Sequence, residues 1–134
     1  MMMAKKLSTP AEARSPATVL VVEDEPLLRY ALASELDAAG FQVLEAGNTA
    51  EAETVLAAGA PVDVLVTDVQ MPGPRDGMVL AQMVRAQWPE TKVIIASGRP
   101  PPQSVSTVAD AFYPKPYDLD RVIGHIETLT GGKA

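Results

Sequence analysis

Cysteine is absent from the 134 residues, and histidine occurs once, at His125. The first absence excludes disulfide frameworks, thiolate-held zinc, iron–sulfur clusters and a cysteine nucleophile; the second excludes a multi-histidine metal site. Basic residues are also few: 11 Lys and Arg stand against 17 Asp and Glu, a formal charge of −6. The one basic cluster, Lys5-Lys6, lies at the extreme N-terminus, and from Ala17 onward 8 bases face 16 acids. So acidic a body repels phosphate backbones and anionic lipid, which argues against nucleic acid or membrane partners. No apolar run approaches the roughly 18 residues of a membrane span, and the leading lysines are not followed by a signal-like apolar stretch. The expectation is a cytoplasmic protein. What is present, 47% hydrophobic and 21% charged residues, is ordinary globular usage, and the length suits one domain of roughly 100–150 residues.

Residues 1–16 mix Pro, Ser, Thr, Ala and charge without periodicity and read as a flexible tail; the domain is expected over 17–130, with a short tail at 131–134. Thr18 to Val22 is a continuous β-branched apolar run ending in Glu23-Asp24-Glu25-Pro26, the pattern of a strand buried on both faces. A helix follows from Pro26, with Leu28, Leu32 and Leu36 on one face and Gly40 as its stop. Phe41–Ala46 is a second strand, and Asn48 with Glu51 three residues on caps a second helix that runs to Gly59. Val62–Asp68 is a third strand, followed by a Pro/Gly loop and a helix from about Met78 to Trp88; Lys92–Ser97 is a fourth. Ala111–Lys115 is a short fifth strand, and Leu119, Val122, Ile123 and Ile126 mark a last helix. Asp63 and Asp76 read as solvated or capping residues, and Met71, Met78 and Met83 as core filling. The alternation predicts an α/β, doubly wound parallel sheet with helices on both faces.

In such sheets ligands bind beyond the carboxyl ends of the strands. The residues there are Glu23, Asp24, Asp68, Ser97 and Lys115. Three carboxylates brought together repel one another and need a counter-charge, and hard oxygen ligands select a hard ion such as Mg²⁺. Lys115 adds a fixed positive charge. A site with Mg²⁺, a lysine and a hydroxyl suits a phosphoryl group in transfer, with a carboxylate as its acceptor.

The segments VLVVEDEP (19–26), VLVTDVQMPG (64–73), IIASG (94–98) and FYPKPY (112–117) fall in one order, each at a predicted strand end. In this the chain resembles the response-regulator receiver domains of two-component signalling over about residues 17–130. The resemblance implies a flavodoxin-like receiver fold with five strands in the order 2-1-3-4-5. It further implies that Asp68 is the phosphoacceptor, that Asp24 and Asp68 bind Mg²⁺ directly, that Glu23 holds a metal-bound water and that the backbone carbonyl of Gln70 completes the metal ligands. Ser97 would bond the phosphoryl oxygen, Lys115 would pair first with Asp68 and then with the phosphoryl group, and Phe112 occupies the place of a switching aromatic. The phosphoryl donor would be a phosphohistidine on a histidine kinase or histidine phosphotransfer protein, since His125 on the last helix reads as a surface or half-buried residue.

Two departures from the family pattern stand out. Asp68 and Gly77 are nine apart rather than the usual eight, and Arg99-Pro100-Pro101-Pro102 occupies the place where a fourth helix normally starts. Only residues 103–109 remain for it, and Ser, Thr and Val there predict a short or irregular helix. The expectation is a stand-alone receiver acting as a phosphorelay switch or phosphate sink, catalysing only its own phosphorylation and dephosphorylation. A Mg-dependent phosphohydrolase with an aspartyl-phosphate intermediate is the main rival, disfavoured because such enzymes carry a second Asp two residues after the nucleophile, whereas Asp24 is followed by Glu25-Pro26. A degenerate receiver serving only as a binding module is the other.

Overall fold

The computed structural model describes residues 16–71, 76–100 and 104–131. The strands are β1 (Thr18–Val22), β2 (Gln42–Ala46), β3 (Val64–Asp68), β4 (Lys92–Ser97) and β5 (Ala111–Pro114). The helices are α1 (Pro26–Ala38), α2 (Thr49–Ala57), α3 (Gly77–Gln87), α4 (Val105–Val108) and α5 (Leu119–Leu129). All strand pairs are parallel, in the order β2-β1-β3-β4-β5. The tail expected at the N-terminus lies, apart from Pro16, outside the described residues, as do the loop insertion near 74–75 and Pro101 and Pro102 of the triple proline.

β1 and β3 are buried along their whole length, as their unbroken apolar runs require for strands covered on both faces. Period-two alternation divides them between two cores. Leu20, Val22, Leu65, Val93 and Ile95 pack with Leu56 of α2, with Leu80, Ala81 and Val84 of α3, and with Val108 of α4. Val19, Val21, Val64, Val66 and Ile94 face the other way, onto Leu32 and Leu36 of α1 and Val122, Ile123 and Ile126 of α5. Met78 is buried in the first core, with Met71 and Met83 packed against it. The same alternation on edge strand β5 sends Phe112 into the first core and Tyr113 into the second, where the Tyr113 hydroxyl lies 2.7 Å from His125 Nδ1. His125 is half-buried.

The capping signals act as expected. Asn48 Oδ1 accepts from the Glu51 N–H at 2.8 Å, and Asp76 Oδ1 accepts from the N–H groups of Met78 and Val79. β3 begins at Val64, two residues later than its apolar pattern suggests; just before it Asp63 donates its N–H to the Thr18 carbonyl at 2.9 Å, and its carboxylate accepts the Thr18 N–H at 2.8 Å. α4 is a single turn, four residues long, in keeping with the poor helix propensity of its Ser, Thr and Val.

That turn is held from outside. Arg85 Nη2 donates to the Val108 carbonyl at 3.1 Å and to Asp110 Oδ2 at 2.9 Å, while Asp110 Oδ2 also accepts the Val93 N–H at 2.8 Å. Asp110→Ala leaves the Val93 N–H and Arg85 without this acceptor and is expected to cost about 1–2 kcal/mol in urea unfolding. Burial pushes the Asp110 carboxyl up, but the Val93 N–H and Arg85 outweigh it, so its pKa lies below the ordinary 3.8. The unfolded chain therefore binds this proton more tightly; the contribution is present above pH 3.8 and fades as pH falls through the folded value. The stability gap between parent and variant should close in acid, and a gap independent of pH would contradict this assignment.

Candidate functional site

The acidic end of the sheet is built by strand termini. β1 ends at Val22, yet the next residue still donates its N–H to the Ala46 carbonyl at 3.0 Å, so Glu23 keeps a strand-like anchor. Its side chain is buried, with Oε2 accepting the Glu25 N–H at 3.0 Å and Oε1 accepting Lys115 Nζ at 2.7 Å. Asp24 is exposed. Glu25 then caps α1 by accepting the Leu28 N–H, so the turn after β1 leads directly into a helix.

Asp68, the last residue of β3, is buried at 7% exposure. Its Oδ2 accepts Lys115 Nζ at 3.0 Å, and its Oδ1 accepts the Gln70 N–H at 3.2 Å. Lys115 follows β5, its N–H bonded to the Ser97 carbonyl at 2.9 Å and its peptide to Pro116 cis. Ser97 ends β4 and is 2% exposed; its Oγ accepts the Arg99 N–H at 3.2 Å. That bond uses an oxygen lone pair and leaves the hydroxyl hydrogen free to be donated elsewhere.

Carboxylate oxygens of Glu23, Asp24 and Asp68 lie within 4.8 Å of one another. Three acids against one lysine leave an excess of negative charge, and every donor in the set is a hard oxygen, so the residues fit a divalent cation such as Mg²⁺. Burial pushes the Glu23 carboxyl above its ordinary value, outweighing the hydrogen bonds from Lys115 and Glu25 and the lysine's charge. For Lys115, burial alone would lower the pKa, but the hydrogen bonds to Glu23 and Asp68 raise it, so the ammonium is a permanent charge in this site. Tyr117 is raised by burial and then by the negative Glu23.

Glu23, Asp24, Asp68 and Lys115 are thus brought together, with Ser97 and Gln70 tied in through the Lys115 and Asp68 hydrogen bonds. Phe112 is half-buried, paired with Ile95 and packed into the α2–α3–α4 core. Three further residues take part, of which only Arg29 lies outside the segments and spacings read from the sequence. Arg29 Nη1 donates to the Glu23 carbonyl at 2.7 Å. Thr67 Oγ1 donates to the Asp68 carbonyl at 2.9 Å, and Gly77 lies against that same carbonyl.

Residues 19–127 match the response regulator receiver domain, and the chain belongs to that family. It is 36% identical over 130 residues to the sensor kinase CckA of Brucella abortus, covering 93% of this chain and 14% of that protein. It is 39% identical over 85 residues to the transcriptional regulatory protein AruR of Pseudomonas aeruginosa, covering 60% of this chain and 34% of that protein. The chain therefore spans about a third of one of these relatives and about a seventh of the other. Among solved structures, the response regulator TrrA of Thermotoga maritima in complex with Mg²⁺–BeF superposes with a TM-score of 0.76 at 29% identity, covering 84% of this chain and 98% of that one. The receiver domain of the hybrid histidine kinase CckA gives 0.72 at 32% identity, with the same coverage. The five-stranded order is the receiver fold. Among the described residues no helix is long and apolar enough to cross a membrane.

Proposed function

We propose that residues 17–130 form a phosphorylatable switch in which Asp68 accepts a phosphoryl group from phosphohistidine on a histidine kinase or histidine phosphotransfer protein. An Asp68 carboxylate oxygen forms the new P–O bond, the P–N bond to the donor imidazole breaks, and that imidazole leaves with its electron pair and takes up a proton. The observation that carries this reading is the position of Lys115 Nζ, 2.7 Å from Glu23 and 3.0 Å from Asp68, with Asp24 completing the carboxylate cluster. Glu23, Asp24, Asp68 and the Gln70 carbonyl would hold Mg²⁺. When bound, the ion supplies positive charge that offsets the carboxylates and the phosphoryl oxygens. Lys115 exchanges its bond to Asp68 for one to the phosphoryl group, and Ser97 donates its hydroxyl hydrogen to another phosphoryl oxygen.

The donor arrives on a protein, because the lone His125 is bonded to Tyr113 on the α5 side of the sheet. Leu27 and Tyr30, 77% and 68% exposed on α1, stand beside the turn that carries Glu23 and Asp24 and offer an apolar footing for that donor. The phosphorylated domain then acts by protein contact, as a relay switch or as a sink for phosphate.

Incubation with a small phosphoramidate donor and Mg²⁺ should add about 80 Da to the intact mass, one phosphoryl group. The gain should be absent in EDTA and in Asp68→Asn. Labelling that persists in either condition would overturn the assignment.

A further inference from the structure

Arg29 projects from α1 across the end of β1 toward β2. Its Nη1 donates to the Glu23 carbonyl at 2.7 Å, and its Nε lies 3.3 Å from Glu45 Oε1 on β2. The side chain is only 24% exposed. The Glu23 carbonyl belongs to the peptide unit joining Glu23 to Asp24, the two acids that β1 delivers to the carboxylate cluster. The N–H of Glu23 is already fixed on the Ala46 carbonyl at 3.0 Å. With the guanidinium on the carbonyl, the backbone of Glu23 is held at both ends, and the rotation that would swing both carboxylates away from Asp68 is blocked. Glu45 in turn holds the guanidinium, whose planar fork allows two nitrogens to serve two acceptors at once.

We propose that Arg29, braced by Glu45, is a positioning residue for the divalent-cation site: it sets the Glu23–Asp24 peptide so that both carboxylates meet Asp68. The inference rests on reading that cluster as a Mg²⁺ site. It predicts an effect opposite in sign to that of the residue's charge. A cation near the cluster repels Mg²⁺, so if Arg29 acted only through its field, removing it would tighten Mg²⁺ binding. A positioning role requires that removing it weaken binding.

The test is a calorimetric Mg²⁺ titration of the full chain. Arg29→Met should raise the Kd for Mg²⁺ by about ten- to a hundredfold, the loss expected for one charge-assisted hydrogen bond. Arg29→Lys, which keeps the charge but not the fork, should recover only part of this loss. Glu45→Gln, on the surface of edge strand β2, should raise the Kd by about two- to fourfold alone, the order of a partly exposed ion pair, and by nothing further in the Arg29→Met background. That non-additivity marks an effect passing through Arg29, whereas a charge effect of Glu45 would add in full. Faster exchange of the Glu23 amide, bonded to the Ala46 carbonyl, in Arg29→Met, with the β3 amides unchanged, would place the loosening at this end of β1. Should Arg29→Met fail to fold, Arg29→Lys and Glu45→Gln carry the same comparison. Mg²⁺ binding in Arg29→Met as tight as, or tighter than, in the parent overturns the inference. A parent that binds no Mg²⁺ overturns the metal reading itself, and the inference with it.

Discussion

Gly77→Ala is expected to lower stability by about 3 kcal/mol and the midpoint of thermal unfolding by about 10 °C. A Cβ at this position would stand 1.7 Å from the Asp68 carbonyl oxygen, 2.7 Å from its carbon and 3.0 Å from Thr67 Oγ1. The obstacle is backbone, and it cannot yield cheaply. Asp68 ends the central strand, whose neighbours β1 and β4 pair with it on both sides, and its carbonyl already accepts Thr67 Oγ1. The Gly77 N–H is also committed, to the Val69 carbonyl at 3.0 Å. Relief therefore has to come from moving α3 or the end of β3, and the second displaces the Asp68 carboxylate from Lys115. Phosphorylation by a small donor should slow in the same variant. Gly124→Ala is the matched control: it lies within α5, nothing is within 4 Å of the added Cβ, and the better helix propensity of alanine should stabilise by about 0.5–1 kcal/mol. Equal melting temperatures for Gly77→Ala and the parent would show that α3 is not wedged against Asp68.

Gly77 also marks where periodicity stops being informative, since only its spacing from Asp68 in the family pattern picks it out. The acids, the serine and the lysine could be read because each ends an apolar run, and a run of β-branched residues in an alternating α/β pattern becomes a parallel strand whose end is a ligand site. Asn48 and Asp76 were legible for a similar local reason, since a cap bonds within three residues of itself. The closeness of Gly77 to Asp68 across the eight residues between them is something no periodicity encodes. The same holds for Arg29, whose acceptors lie just past the end of β1 and on β2; from its position alone it is one more polar residue on α1.

α4 shows the limit from the other direction. Weak propensity in 103–109 correctly predicts a short helix, but what places its single turn is the Arg85 and Asp110 pair, contributed by α3 and the approach to β5. Edge-strand β2, with Gln42 and Glu45 among its five residues, is half exposed and has a sheet neighbour on one side only. Pattern predicts elements; which face is covered follows only from their assembly.

Lys115→Met should destabilise the metal-free protein by about 2–3 kcal/mol at neutral pH, somewhat below the usual cost of stranding one partner of a buried pair because Asp24 leaves one side of the site open to water. Methionine retains an apolar stem among Leu28, Pro116, Tyr117 and Leu119, so the loss is that of the ammonium shared by Glu23 and Asp68. Burial already raises the Glu23 pKa, and without Lys115 the opposing hydrogen bond and charge vanish, so it rises further. A raised folded pKa means that the native state binds the proton more tightly than the unfolded chain. The resulting stability is fully present below the ordinary 4.5 and is lost as pH rises through the folded value. The deficit of the variant should therefore be greatest near pH 7 and shrink toward pH 4.5. Mg²⁺ supplies the missing charge at the same carboxylates, free of competition from the lysine, so its affinity should rise about tenfold, the change expected when a neighbouring like charge is removed. Mass action then gives the variant the larger gain in melting temperature from millimolar Mg²⁺, since stabilisation grows with the logarithm of ligand concentration over Kd. Thermal melts in EDTA and in Mg²⁺, at pH 7 and pH 4.5, distinguish the outcomes. A gap between parent and variant that Mg²⁺ does not narrow would mean that the lysine and the metal do not answer to the same carboxylates.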